Sequence, residues 1–268
     1  MDHRVFTQLI RIAKLGYAMT NKQTSANLTQ YVVNAFSFGP FTGNPAAIVP
    51  LETWLDDELM QQIAEQNNLS ETCFFVEEAG QFHIRWFTPE TEVNLCGHAT
   101  LAAAFVLYEQ LAYSQAVINF SSKSGLLQVE KNQYGYGLNF PNQKPKPVPM
   151  QDDWLNCFNL KPIASFQGEY LVLEFASQQQ LVELQPNILA LTQISDRFVV
   201  ATAKGDDCDF VCRFFAPQCG IDEDPVTGSA YTHLIPLWAE RLNKTKMYAK
   251  QLSKRSGQLF TELKGDRV

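Results

Sequence analysis

Residues 82–111 read FHIRWFTPETEVNLCGHATLAAAFVLYEQL, and residues 210–242 read FVCRFFAPQCGIDEDPVTGSAYTHLIPLWAERL. Each opens on an aromatic-rich strand pattern that carries Arg, two aromatics and then Pro: Arg85 to Pro89, and Arg213 to Pro217. Each passes through an acidic, turn-like loop to a Gly followed by small polar residues, and then to a long apolar helix pattern. Further on, FSSKSGLLQVE at 120–130 answers LSKRSGQLFTE at 252–262. The period is far too long for a solenoid. The chain therefore reads as two copies of one α/β unit, expected to fold as two pseudo-symmetric domains that face each other.

Copy one is predicted to hold strands near 29–36 and 46–51, a helix near 55–67, and strands near 72–77 and 82–88. A helix at 98–111 follows, then strands near 116–121, 125–130 and 134–140. Copy two is predicted to hold strands near 169–175, 198–203 and 209–215, a helix at 228–242, and strands near 246–252 and 257–263. The main helix of each copy is hydrophobic almost all round, so it belongs inside a curved, mostly antiparallel sheet. The expected division is 29–140 and 141–268, with the Pro-rich PNQKPKPVPM at 141–150 as linker. Residues 1–28 are set apart as a leader, with Met19 as an alternative start. In copy one GLLQVEKNQ is followed by a further strand, YGYGLNFP, whereas copy two runs only to GQLFTELKGDRV. A sheet edge is expected there that is open, or covered by residues 1–28 or a second chain.

The formal charge is −7, which argues against nucleic acid as a partner because phosphate binding asks for clustered Lys and Arg. No apolar run approaches the roughly 20 residues of a membrane span. Hydrophobic residues make up 46% of the chain and aromatics 12%, enough for a sizeable core. Residues 1–18 are mildly basic and lack a secretory h-region. The six cysteines include no Cys-x-x-Cys, so free thiols in a reducing cytoplasm are expected. Cys208, Cys212 and Cys219 with His233 could suggest metal. Cys208, Phe210, Cys212 and Phe214 alternate along a strand, however, and two cysteines lining a core face is the simpler reading.

If the copies face each other, the helix starts at Gly97-His98 and Gly228-Ser229 would point into one cleft. Each offers free backbone N–H groups and a partial positive charge, which suits a small carboxylate. Single Gly or Ser residues at helix starts are ordinary caps; the matched pair favours a site. Glu71, between Ser70 and Thr72 and directly before an apolar strand, reads on this stretch alone as a turn carboxylate facing water; partly desolvated against that strand, it would suit acid–base work. Acids such as Asp224 commonly stand before helix starts, but Pro225 would orient this one; a lone buried His is usually structural, but His98 is the one His within a motif and falls at the expected cleft.

The stretches NAFSFGPFTGNPAAIVPL, LSETCFF, IRWFTPETEVNLCGHATLAAAFVL, GIDEDPVTGSA and SKRSGQL, in this order and spacing, resemble the phenazine-biosynthesis PhzF-like proteins. The resemblance runs from about residue 30 to Val268. It implies a diaminopimelate epimerase fold of class α+β, two pseudo-symmetric domains each with a curved sheet around a central helix. It implies a catalytic acid/base at Glu71 and binding or proton-handling roles for His98 and Asp224. Gly97, Gly228 and Ser229 would hold the substrate. It further implies a homodimer with no metal and no organic cofactor.

The related epimerases use one thiol at each helix start. Here Cys96 precedes Gly97, but Asp224 to Gly228 holds no Cys, so a two-thiol racemase is disfavoured. The expected function is a cofactor-independent isomerase that moves a proton on a small cyclic or unsaturated carboxylate, with one carboxylate as acid/base. The alternatives are an amino-acid racemase or epimerase, and a non-catalytic metabolite-binding protein of the same fold.

Overall fold

A computed structural model describes residues 11–16, 27–133, 135–194 and 198–268. Most of the expected leader lies outside these residues. The chain divides into two compact units, Met1–Pro40 with Asn44–Asn139, and Phe41–Gly43 with Phe140–Val268.

The first unit runs β1 (Arg11–Gly16), β2 (Asn27–Ala35), β3 (Asn44–Leu51), α1 (Asp57–Asn67), β4 (Glu71–Glu78), β5 (Gln81–Phe87), β6 (Glu92–Val93), α2 (Gly97–Glu109), β7 (Val117–Ser122), β8 (Gly125–Asn132) and β9 (Gly135–Leu138). Its sheet has the order β1-β2-β3-β4-β5-β7-β8-β9, with β6 on β5. Two neighbouring pairs, β3/β4 and β5/β7, are parallel. Parallel neighbours need a long crossover, and α1 and α2 are those crossovers. Every residue of α2 from Gly97 to Leu107 is buried. The helix touches β2, β3 and β4 and also β8 and β9, so the sheet curls around it. Ala99, Ala102, Ala103 and Ala104 keep its girth small and let the strands approach.

The second unit runs β10 (Lys146–Pro147), α3 (Asp152–Leu155), β11 (Ala164–Gln167), β12 (Leu171–Glu174), α4 (Gln178–Glu183), α5 (Ile188–Gln193), β13 (Val199–Lys204), β14 (Phe210–Ala216), β15 (Ile221–Asp224), α6 (Tyr231–Leu242), β16 (Lys246–Gln251) and β17 (Gly257–Glu262). The sheet order is β10-β11-β12-β13-β14-β16-β17, with β15 on β14. Its parallel pairs, β12/β13 and β14/β16, fall where the first unit has them. Trp238 of α6 stacks on Phe210 and donates from Nε1 to Thr202 Oγ1 at 2.9 Å. On the opposite face Val211 and Phe215 pack with Phe158, Phe175, Leu181 and Leu191.

Several details differ from the sequence reading. Residues 11–16 form a strand on β2, in a region expected as leader. Lys146–Pro147, within the expected linker, pairs with β11. Each acidic loop after the Arg strand contains a short strand, β6 or β15. Cys208 precedes β14 and packs against the Phe215 cluster, with its thiol 3.3 Å from the Phe210 carbonyl. Among the described residues β17 has no strand on its outer side, whereas its counterpart β8 carries β9. Segment 41–43 joins the second unit through Gly43 N–H to Ser256 O at 2.7 Å and Arg255 Nε to Gly43 O at 2.8 Å. None of the helices is long and apolar enough to cross a membrane, among the described residues.

Candidate active site

β4 begins at Glu71 and α2 at Gly97, so the first residue of one and the second residue of the other are brought together. Glu71 Oε2 lies 3.0 Å from His98 Nε2, with the side chains 13% and 5% exposed. Both atoms are buried, and neither is aligned to hydrogen-bond the other. A carboxylate oxygen and a ring nitrogen thus sit side by side without satisfying each other. Buried polar atoms are seldom left so, and a substrate that offers a donor and an acceptor at that point would satisfy both.

The other ring nitrogen is enclosed. Asn44 Nδ2 lies 3.3 Å and Cys96 Sγ 3.4 Å from His98 Nδ1. Asn44, at the start of β3, is fully buried, and its Oδ1 accepts from Ser70 Oγ at 3.1 Å. Cys96 caps α2, and Thr100 Oγ1 donates to its carbonyl at 2.6 Å. Burial pushes the Cys96 thiol up to about 11. Burial is also the largest influence on His98 and favours the neutral ring. Charges on Cys96 and Glu71 outweigh it and drive the imidazole upward. A thiol at about 11 carries no charge near neutral pH, so in that range Glu71 alone opposes burial.

Donor atoms of Glu71, Cys96 and His98 lie within 4.8 Å of one another, near enough for one metal ion. Asn44 and Cys96 stand against Nδ1, and Nε2 faces the Glu71 carboxylate, an arrangement that suits proton handling better than ligation. The cysteine set with His233 is not assembled as a site. His233 Nε2 accepts the Glu169 N–H at 3.0 Å, His233 Nδ1 meets Thr232 Oγ1 at 2.9 Å, and Cys219 is exposed.

In the second unit Asp224 ends β15 and is 8% exposed. Its carboxylate accepts from Thr227 Oγ1. Gln251 Nε2 donates to the Asp224 carbonyl at 2.9 Å, and Gln251 Oε1 accepts the Thr227 N–H at 2.9 Å. This knot holds the chain as it enters Gly228. Residues 228–230 form a 3₁₀ turn that leads into α6, so the α-helix expected from Gly228 starts one turn later. Ser229 Oγ is 2.9 Å from the Tyr170 hydroxyl. Tyr170 packs against Phe214, Phe198 and His233, and burial raises its phenol to about 12.

The first unit thus assembles Glu71, Gly97 and His98, and the second assembles Asp224, Gly228 and Ser229. Asn44, Tyr170 and Gln251 were not singled out from sequence. Only Asn44 stood in a quoted motif, TGNPAA.

The family model described as phenazine biosynthesis-like protein matches residues 33–268. An uncharacterized isomerase of Pseudomonas aeruginosa is 46% identical over 237 residues, covering 88% of this chain and 91% of that protein. The crystal structure of a PhzF-family phenazine biosynthesis protein of Enterococcus faecalis is 42% identical. It superposes with a TM-score of 0.87 and covers 90% of this chain and 93% of that one. A hydroxyproline epimerase of Agrobacterium vitis shares the fold alone, at a TM-score of 0.58 and 9% identity over 89% of this chain and 84% of that one. The chain belongs to the phenazine biosynthesis-like, or PhzF-like, protein family, and it is an isomerase on the diaminopimelate epimerase fold.

Proposed function

We propose that the protein moves a proton on a small cyclic or unsaturated carboxylate, with Glu71 as the single acid/base. The observation that carries this reading is the Glu71–His98 pair: two buried polar atoms 3.0 Å apart and out of line with each other. Glu71 takes the proton from a carbon next to a carbonyl or conjugated system and returns it at another position. His98 Nε2–H stabilises the negative charge that develops between the two steps. The start of α2 at Gly97 binds the carboxylate. Asp224, Gly228 and Ser229 serve as proton-handling and substrate-binding groups in the second unit. Moving a proton this way asks only for a base, a donor and an anion site, so no metal or organic cofactor enters the scheme. The protein is proposed to work as a homodimer.

Cys96 gives some support to an epimerase reading, because a thiol at that helix start is what a two-thiol mechanism uses. The equivalent stretch of the second unit, Asp224 to Ser229, supplies no partner thiol. The test begins with capture of small carboxylates from cell extract on the protein, read by mass spectrometry. The captured compound is then incubated with the protein in D2O. Deuterium at carbon together with a shifted double bond is expected. Inversion at one carbon would favour epimerisation, and binding without exchange would make the protein a metabolite binder.

A further inference from the structure

We propose that Asn44 is a positioning residue that fixes the tautomer of His98, holding the ring neutral with its proton on Nε2. The inference rests on the reading of Glu71 and His98 as the proton-transfer pair. It adds the group that decides which face of the imidazole can act.

The argument starts from donors and acceptors. Glu71 offers only lone pairs when ionised, and its Oε2 is 3.0 Å from His98 Nε2. A lone pair on Nε2 would repel it, whereas an N–H there is attracted. Nδ1 must then be the acceptor. Both groups beside it can donate: the Asn44 amide NH2 at 3.3 Å and the Cys96 thiol at 3.4 Å. A ring protonated on both nitrogens would press Nδ1–H against the Asn44 N–H and a protonated thiol. Burial acts the same way, while the Glu71 carboxylate acts against it and drives the imidazole upward, so the donors packed against Nδ1 are what hold the ring neutral.

Of the two donors, Asn44 is the one held. It is fully buried at the first position of β3, and its Oδ1 is fastened to Ser70, the residue next to Glu71. The Ser70–Asn44–His98 chain therefore returns to the strand end that carries the base. The thiol is the weaker donor. With Nδ1 occupied, the proton available for the substrate is on Nε2, beside Glu71. A carboxylate in place of the amide would reverse this: it would accept from Nδ1–H and leave the ring flipped or charged.

The experiment uses the full chain with ¹⁵N-labelled histidine and long-range ¹H–¹⁵N correlation near neutral pH. The chain has four histidines, and His98→Gln identifies the signal. The expected result is a neutral ring with the proton on Nε2 in the wild type, retained in Cys96→Ala. In Asn44→Asp the proton should move to Nδ1, or both nitrogens should be protonated. Asn44→Ser, a smaller change in case the Asp variant does not fold, should give a mixture of tautomers. A wild-type ring with its proton on Nδ1 or on both nitrogens overturns the proposal, and so does an unchanged tautomer in folded Asn44→Asp and Asn44→Ser. Once turnover can be followed, Asn44→Asp should lower kcat about 10²–10⁴-fold with KM nearly held. An intact Nε2–H tautomer with full activity in Glu71→Gln would instead sink the acid/base reading and leave the tautomer assignment standing.

Discussion

His98 Nε2 lies 3.0 Å from Glu71 Oε2, and neither atom points its hydrogen-bonding direction at the other. A buried polar group without a partner costs about 1–3 kcal/mol. Asn44 and Cys96 stand against the far nitrogen of the ring, and Glu71 is the first residue of β4. Both polar atoms are thus left for a substrate to satisfy.

The two Arg–Glu forks should differ in strength. Arg85 clasps Glu92 with bonds of 2.8 and 2.9 Å, and Arg213 clasps Glu223 with 2.7 and 2.8 Å. Each ties a short strand, β6 or β15, to its long neighbour just before the helix. Arg213 also donates to the Leu181 and Leu184 carbonyls at 3.1 and 2.6 Å, so it caps α4 as well. Arg85 reaches the exposed Asp57 instead. Arg213→Ala strands a largely buried carboxylate and two carbonyls and should cost roughly 3–5 kcal/mol. Arg85→Ala should cost less, about 1–3 kcal/mol. Urea unfolding of both variants checks the order; equal losses would show that the carbonyl bonds add nothing.

Stability should fall with acid through His233. Burial lowers its folded pKa from 6.5 to about 4. Above pH 6.5 both states are neutral at this ring and it contributes nothing to the pH dependence. Between about 6.5 and 4 the unfolded chain takes up a proton that the folded chain refuses, so stability drops as pH falls. Below about 4 both states are protonated and the loss is complete, at roughly 2–4 kcal/mol. His233→Gln removes this component and keeps an acceptor for the Glu169 N–H. The difference between wild type and variant in urea unfolding, followed from pH 7.5 to 4, should shrink by that amount. A constant difference would mean that the ring charges freely in the fold. Gly168 adds to the constraint: a Cβ there would sit 2.5 Å from His233 Nε2.

The repeat was legible because packing wrote it into apolar periodicity and paired Gly helix starts. Both buried helices and the strands around them follow from that pattern. The short elements of the second unit, α3, α4 and α5, were not seen. Leu181 and Leu191 bury only one residue each from six-residue helices, too little for a period to show. Glu71 and His98 could be named because they stand in long motifs. Asn44 was hidden because its role is a contact across 54 residues of chain, and only the fold reveals what its amide faces. Tyr170 was hidden likewise, as one aromatic among many until its hydroxyl is seen on Ser229.

Ser229→Asp should abolish ligand binding, because Ser229 is proposed as a substrate-binding group and a negative charge there would repel an anionic ligand. Tyr170→Phe removes the hydroxyl that holds Ser229 at 2.9 Å and should weaken binding by a smaller factor, about 3–10-fold. Titration calorimetry with the captured carboxylate measures both. Undiminished affinity in Ser229→Asp would remove the second helix start from the binding site.

Glu71→Gln is the decisive variant for the chemistry. The amide keeps the size of the side chain and leaves His98 with a polar neighbour, but it cannot accept a proton from carbon. General acid–base catalysis supplies about 10²–10⁴-fold in rate, so turnover should fall by at least that order. Affinity for the carboxylate should change little, because the anion is proposed to sit at the start of α2. Folding should survive, since Glu71 is the first residue of β4 and its carboxylate Oε2 has no hydrogen bond to lose. Turnover, hydrogen–deuterium exchange at the ligand carbon and urea unfolding are measured on one preparation. Lost exchange with retained binding and stability is the expected pattern. Full exchange in Glu71→Gln would move the base to another residue, with His98 as the first candidate, and the single-carboxylate scheme would fall.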